Sequence, residues 1–192
     1  MSDITAVILS KSPVRRSVAG VKTLVHASIF KNAAGLLAAR KAAIKRVQTE
    51  WFFFLDDDDA LPDGYAELLA RCVDTDAALS YTRERVFDEV AGTEYVSGNG
   101  PWTRERHVMA PQLIHHLAVC RTRAAIAACA ATPDGMYAFE NLVYFRMACD
   151  GGANFIDEVG YVWHRGAHGL SRHPTLIIGQ AKSACVAAGV EP

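Results

Sequence analysis

Four aspartates in succession, Asp56 to Asp59, follow an aromatic and aliphatic run in the stretch WFFFLDDDDALPDGY. Adjacent carboxylates repel one another, and burial makes each harder to ionise. Such a cluster is tolerable where water, hydrogen-bond donors or a cation shares it. Hard divalent cations such as Mg²⁺ and Mn²⁺ take carboxylate oxygens and keep water or substrate phosphate in their remaining positions. One or two aspartates at a strand end would make a suitable seat. Read as an extended segment, the run sends Asp56 and Asp58 to one side and Asp57 and Asp59 to the other, so all four cannot hold one ion. A purely structural use is also open, because an aspartate just ahead of a helix complements its N-terminal dipole, and Asp59 before ALPDGY is so placed. A cap accounts for one or two aspartates, not for four abutting three phenylalanines. The five cysteines (Cys72, Cys120, Cys129, Cys149, Cys185) form an odd set with no C-x-x-C pair and are expected as buried free thiols.

The elements around the aspartates are legible from pattern. Ile4–Leu9 (ITAVIL) is short, continuous and β-branched, as a buried strand should be. VKTLVHAS is a second short strand candidate. Asn32–Gln48 is rich in Ala, Leu, Lys and Arg with apolar residues at helical spacing, and predicts a helix. Trp51–Leu55 is a third strand. PDGYAELLARCV opens a helix with Pro near its start. A strand, helix, strand, carboxylate order implies parallel strands with crossover helices, whose ligands bind outside the carboxyl ends of the strands. Further on, AALSYTRERVFDEV and TEYVSGN read as strands about a turn at Ala91-Gly92, GPWTRERHVMAP as loop, and Leu117–Arg121 as a strand before a short helix. AFENLVYFRMACDGG reads as a helix stopped by Gly151-Gly152, ANFIDEVGYVWHRG as two short strands or one bent one, and TLIIGQAKSACVAAG as a final helix. No internal repeat or linker divides the chain.

TEWFFFLDDDDALPDGY resembles the D-x-D segment of the GT-A glycosyltransferases, above all the family 2 group. The lead-in NAAGLLAARKAAIKRVQTEW is similar to that family's N-x-G-x-x-x-A-R-N-x-G stretch. FENLVYFRMACDGG resembles its E-D-x-x-L-x-x-R-x-x-x-x-G segment, and the following YVWHRGAHGLS its Y-R-x-H-x-x-S. The resemblance covers most of residues 30–171. It implies an α/β, Rossmann-like GT-A fold with a mostly parallel central sheet flanked by helices. It implies one compact domain over residues 1–192, with residues 1–60 on the nucleotide-sugar side and 61–192 on the acceptor side. It implies sugar transfer, inverting in type and hexosyl or pentosyl, from a nucleoside-diphosphate sugar with Mn²⁺ or Mg²⁺ as cofactor. By the same resemblance Asp58 is the metal-binding aspartate, with His168 completing the metal or diphosphate site. Asp56 contacts ribose or sugar, with Asp57 beside it. Ser10, Lys11 and His26 line the nucleotide side and Arg40 reaches the diphosphate. Trp163 and Arg165 line the acceptor side, Arg146 matches the family's arginine, and adjacent His115 and His116 point opposite ways on a strand as packing or acceptor lining.

Two departures matter. The family's general base is the Asp of the E-D pair, but this chain has Glu140-Asn141, and Asn is no base at neutral pH; either Glu140 takes the role from one position earlier, or the base lies elsewhere, or the stereochemistry or the activity differs. The second strand ends in His26 and Ala27 where the family carries acids near the nucleotide base, so uridine is not implied. The charge is uneven. Residues 1–46 hold nine Lys and Arg against Asp3, a net +8, while the remaining eleven basic and twenty acidic residues give −9. A basic N-terminal quarter suits phosphate, so a nucleic acid is one acceptor to consider. No apolar stretch reaches the roughly 18 residues that cross a membrane, and no basic n-region precedes ITAVIL, so a cytoplasmic protein is expected. The other reading is a catalytically silent nucleotide-sugar or nucleic-acid binding module that kept the fold.

Overall fold

The computed structural model describes residues 3–10, 17–27, 33–97, 100–110, 112–132, 140–166 and 189. The strands are β1 (Ile4–Ser10), β2 (Lys22–Ala27), β3 (Trp51–Asp56), β4 (Leu79–Asp88), β5 (Thr93–Val96), β6 (Ala118–Arg121) and β7 (Ala153–Arg165). The helices are α1 (Ala33–Ile44), α2 (Tyr65–Val73), α3 (Arg104–Met109), α4 (Thr122–Ala130) and α5 (Phe145–Gly151), the last entered through a π-helical turn, Glu140–Tyr144.

All seven strands form one sheet flanked by helices, as expected of an α/β fold. β2, β1 and β3 run parallel. β6 joins antiparallel to β3 and to β4. β4 carries β7 in parallel along one edge, and β6 followed by antiparallel β5 along the other. Within the parallel half β1 and β3 read as continuous apolar runs because both their faces are covered. Val7, Leu9, Phe52 and Phe54 pack with Leu37, Ile44 and Ala125 on one side. Ile4, Ile8, Trp51, Phe53 and Leu55 pack with Leu69 and Cys72 on the other. The alternation of the pleat thus deals the three phenylalanines to two cores.

Two readings change and one of two alternatives is decided. Residues 104–109 are helical rather than loop, capped by the Thr103 side chain, which accepts from the Arg106 N–H. ANFIDEVGYVWHR takes the second of its two expected forms, one strand bent by two irregularities opposite Thr82–Glu84. Cys149 is exposed, whereas Cys72, Cys120 and Cys129 are buried free thiols; Cys185 and the expected C-terminal helix lie outside the described residues.

Candidate active site

The carboxyl ends of the three parallel strands lie side by side, Ser10 opposite Ala27 and Leu9 opposite Asp56. On β3, β6 pairs with Trp51 and Phe52, and among the described residues no paired strand continues the sheet beside the last residues of β3 on that edge. Tyr161 of β7 fills part of this gap, and its Oη accepts from the Asp56 N–H at 3.1 Å. The sheet therefore opens where the aspartates begin.

β3 ends at Asp56 and the chain turns, so strand alternation does not extend through the run. The four carboxylates acquire four environments instead. Asp56, 36% exposed at its side chain, faces the buried Arg40 guanidinium at 3.6 Å. Arg40 also lies 4.9 Å over the Phe54 ring. Asp57 is exposed and accepts from Ser10 Oγ at 2.8 Å. Asp58 is exposed, and partial burial with the charges of Asp56 and Asp57 raises its carboxyl above the ordinary range. Asp59 is buried. Its Oδ2 accepts from Tyr161 Oη and its Oδ1 from the His164 N–H, both at 2.8 Å. Burial is the main cause that pushes the Asp59 carboxyl up to about 7, against those two hydrogen bonds, which favour the anion. The N-cap position of α2 belongs to Gly64, and Asp59 is turned to β7.

The histidines before β6 depart most from expectation. His115 and His116 lie in a loop, and their rings sit 3.8 Å apart, both beside Trp163, rather than on opposite faces of a strand. His116 stacks on Tyr161 at 4.4 Å and 10°. Burial, with the charges of His115 and Arg40, keeps it neutral well below its ordinary range. His115 Nδ1 lies 3.0 Å from Glu84 Oε2. Ligand atoms of Asp56, Asp59 and His116 lie within 4.8 Å of one another, as do those of Glu84, His115 and His116. Asp58, the expected cation ligand, is exposed and stands in neither of these two groups.

The remaining candidates are spread around this centre. His26 is the next-to-last residue of β2, with Nδ1 3.1 Å from the Arg46 guanidinium. Trp163 and Arg165 follow Tyr161 on β7. The Arg165 guanidinium lies 5.7 Å over the Trp163 ring and 3.5 Å from Asp88. Arg146 lies on α5. Glu140 opens the π-helical turn, an irregularity often found at functional sites. The Glu140 and Asn141 side chains, Lys11 and His168 lie outside the described part. The structure thus gathers Ser10, Arg40, Asp56, Asp57 and Asp58 at one strand end. It adds His116 and Tyr161, which local pattern did not assign to that place.

Residues 10–126 match the model of glycosyl transferase family 2. The chain belongs to that family. Among solved structures, this family 2 domain is similar to S. aureus TarS 1–349, with a TM-score of 0.59 and 10% identity, covering 96% of this chain and 72% of that one. TarS 1–349 in complex with UDP gives a TM-score of 0.60 at 11% identity, covering 96% and 65%. The same protein in complex with UDP-GlcNAc gives 0.56 at 11% identity, covering 89% and 61%. At such identity the likeness shows the fold, and the chain spans between about three fifths and three quarters of those chains. No curated protein matches the sequence.

Proposed function

We propose that this family 2 domain transfers a hexosyl or pentosyl group from a nucleoside-diphosphate sugar to an acceptor hydroxyl, with inversion and with Mn²⁺ or Mg²⁺ as cofactor. The observation that carries this reading is the alignment of Ser10, Ala27 and Asp56 at three parallel strand ends, with Asp57 and Asp58 exposed just beyond. That TarS forms complexes with UDP and UDP-GlcNAc makes a uridine diphosphate sugar the first donor to try. In this proposal residues 1–60 serve the donor and 61–192 the acceptor. Asp58, with His168, would hold the cation, which when bound supplies positive charge to the departing diphosphate. Asp56, Asp57, Ser10 and His26 face the donor, and buried Arg40 serves it by holding Asp56. Glu140 takes the proton of the acceptor hydroxyl as the new glycosidic bond forms and the bond to the diphosphate oxygen breaks. Trp163, Arg165 and Arg146 line the acceptor side.

A donor panel with Mn²⁺, read by sugar release and by thermal shift, tests the proposal. Asp58→Ala is expected to abolish turnover and the Mn²⁺-dependent shift while leaving the fold intact. Glu140→Gln is expected to keep donor binding and lose transfer; unchanged turnover removes Glu140 as base. Asn141 favours a second reading, a silent binding module, and binding without turnover would support it. Failure to bind any nucleotide sugar would sink the transferase and the nucleotide-sugar module alike, leaving only a nucleic-acid module. For a nucleic-acid acceptor the basic quarter is partly committed already. Arg40 is buried, Lys41 donates to the Thr132 carbonyl and Arg46 meets His26. A salt-sensitive gel shift with duplex DNA would support that acceptor, and no shift at low salt would remove it.

A further inference from the structure

We propose that Asp59 and Tyr161 are positioning residues that tie the Trp163 end of β7 to the aspartates ending β3. The inference rests on the donor and acceptor sides assigned above. Five hydrogen bonds join residues 56–60 to residues 161–164. Tyr161 Oη and the His164 N–H donate to the two oxygens of Asp59. The Asp56 N–H donates to Tyr161 Oη. Ala60 and Val162 exchange backbone bonds at 3.1 and 2.9 Å. Asp59 is 2% and Tyr161 0% exposed, so the bond between their side chains is made out of water, where it is stiff and costly to leave unmade. His116 stacks against the Tyr161 ring and flanks Trp163, packing the joint on a further side.

The placement is specific. Asp59 follows Asp58, the cation seat, and His164 follows Trp163, the acceptor-side aromatic. One carboxylate therefore lies one residue from each half of the site. Bringing two reactants to bonding distance depends on such register, and small misplacements cost large factors in rate. A sheet would normally supply it, but β6 leaves the end of β3 after Phe52, and among the described residues the clasp stands where a ladder would continue.

The experiment uses the full chain labelled with 5-fluorotryptophan, the Trp163 resonance being assigned from Trp163→Phe. Mg²⁺ with UDP is titrated into wild type, Tyr161→Phe and Asp59→Asn, and binding is measured separately by calorimetry. The expected result is a Trp163 shift in wild type that falls at least fivefold in Tyr161→Phe, with Kd changed less than threefold. Asp59→Asn, which still accepts from the His164 N–H, should give an intermediate shift. An undiminished shift in Tyr161→Phe overturns the clasp, as does a wild type that binds with no movement at Trp163. Loss of binding in both variants makes these donor-binding residues and equally overturns a positioning role. No binding by wild type of Mg²⁺ with UDP, nor of Mn²⁺ with any of the nucleotide sugars, overturns the donor-site reading and this inference with it.

Discussion

The proton on Asp59 makes stability depend on pH in a direction opposite to that of most carboxylates. Its carboxyl stands at about 7 in the folded protein against an ordinary 3.8, so between those values the folded state holds a proton that the unfolded chain has released. Stability then falls as pH rises through this window, and the loss is complete above about 7. At about 1.4 kcal/mol per pH unit the whole window amounts to about 4 kcal/mol, of which roughly 2–3 kcal/mol lies between pH 5 and 8. Asp59→Asn is the control, because Asn is nearly isosteric with the protonated acid and does not titrate. His116 pulls the other way, since its imidazole stays neutral when folded and protonates when unfolded at low pH. It is present in both proteins and cancels in their difference. The assay is urea unfolding of both at pH 5, 6, 7 and 8 in EDTA, because a bound cation would itself lower the carboxyl. Wild type should lose about 2–3 kcal/mol relative to Asp59→Asn across the series. A difference flat to within about 0.5 kcal/mol would refute the argument: Asp59 would then ionise in the fold without penalty, and its burial would not cost what desolvation requires.

Two further outcomes follow from packing. A Cβ at Gly160 would sit 2.5 Å from Thr82 Oγ1, 2.8 Å from its Cγ2 and 2.9 Å from Leu68 Cδ2. Gly160→Ala should therefore cost about 1–3 kcal/mol and lower Tm by several degrees, and Thr82→Ser, which removes one of those atoms, should return part of the loss; an unchanged Tm would contradict the tight β4–β7 contact. Arg40→Met removes a 3%-exposed guanidinium from Asp56 and Phe54. Denaturant titration should show a loss of about 1–3 kcal/mol, less than for a fully buried pair because Asp56 keeps contact with water; a stabilised variant would make the pair dispensable.

How far the sequence carried is clearest at these same residues. WFFFL could be read as a strand buried on both faces because its composition answers to one local period, and the structure deals its residues to two cores as that period requires. Residues 104–109 hid their helix because RERHVM shows little apolar periodicity. What holds it is one capping threonine and the contacts its His107 makes outside the helix, where Nδ1 receives Trp102 Nε1–H and the ring meets Phe145 edge-on. Thr103 was the available signal. Within the aspartates the limit has a different cause. Strand alternation correctly forbade four equivalent carboxylates, but it assumed an extended chain, and the chain turns after Asp56. Which aspartate goes inward is then settled by Tyr161 and His164, 102 and 105 residues away along the chain. Local chemistry makes the four side chains interchangeable. Only a distant hydroxyl and a distant amide distinguish the one that is buried, and they leave Asp57 and Asp58 exposed beside it.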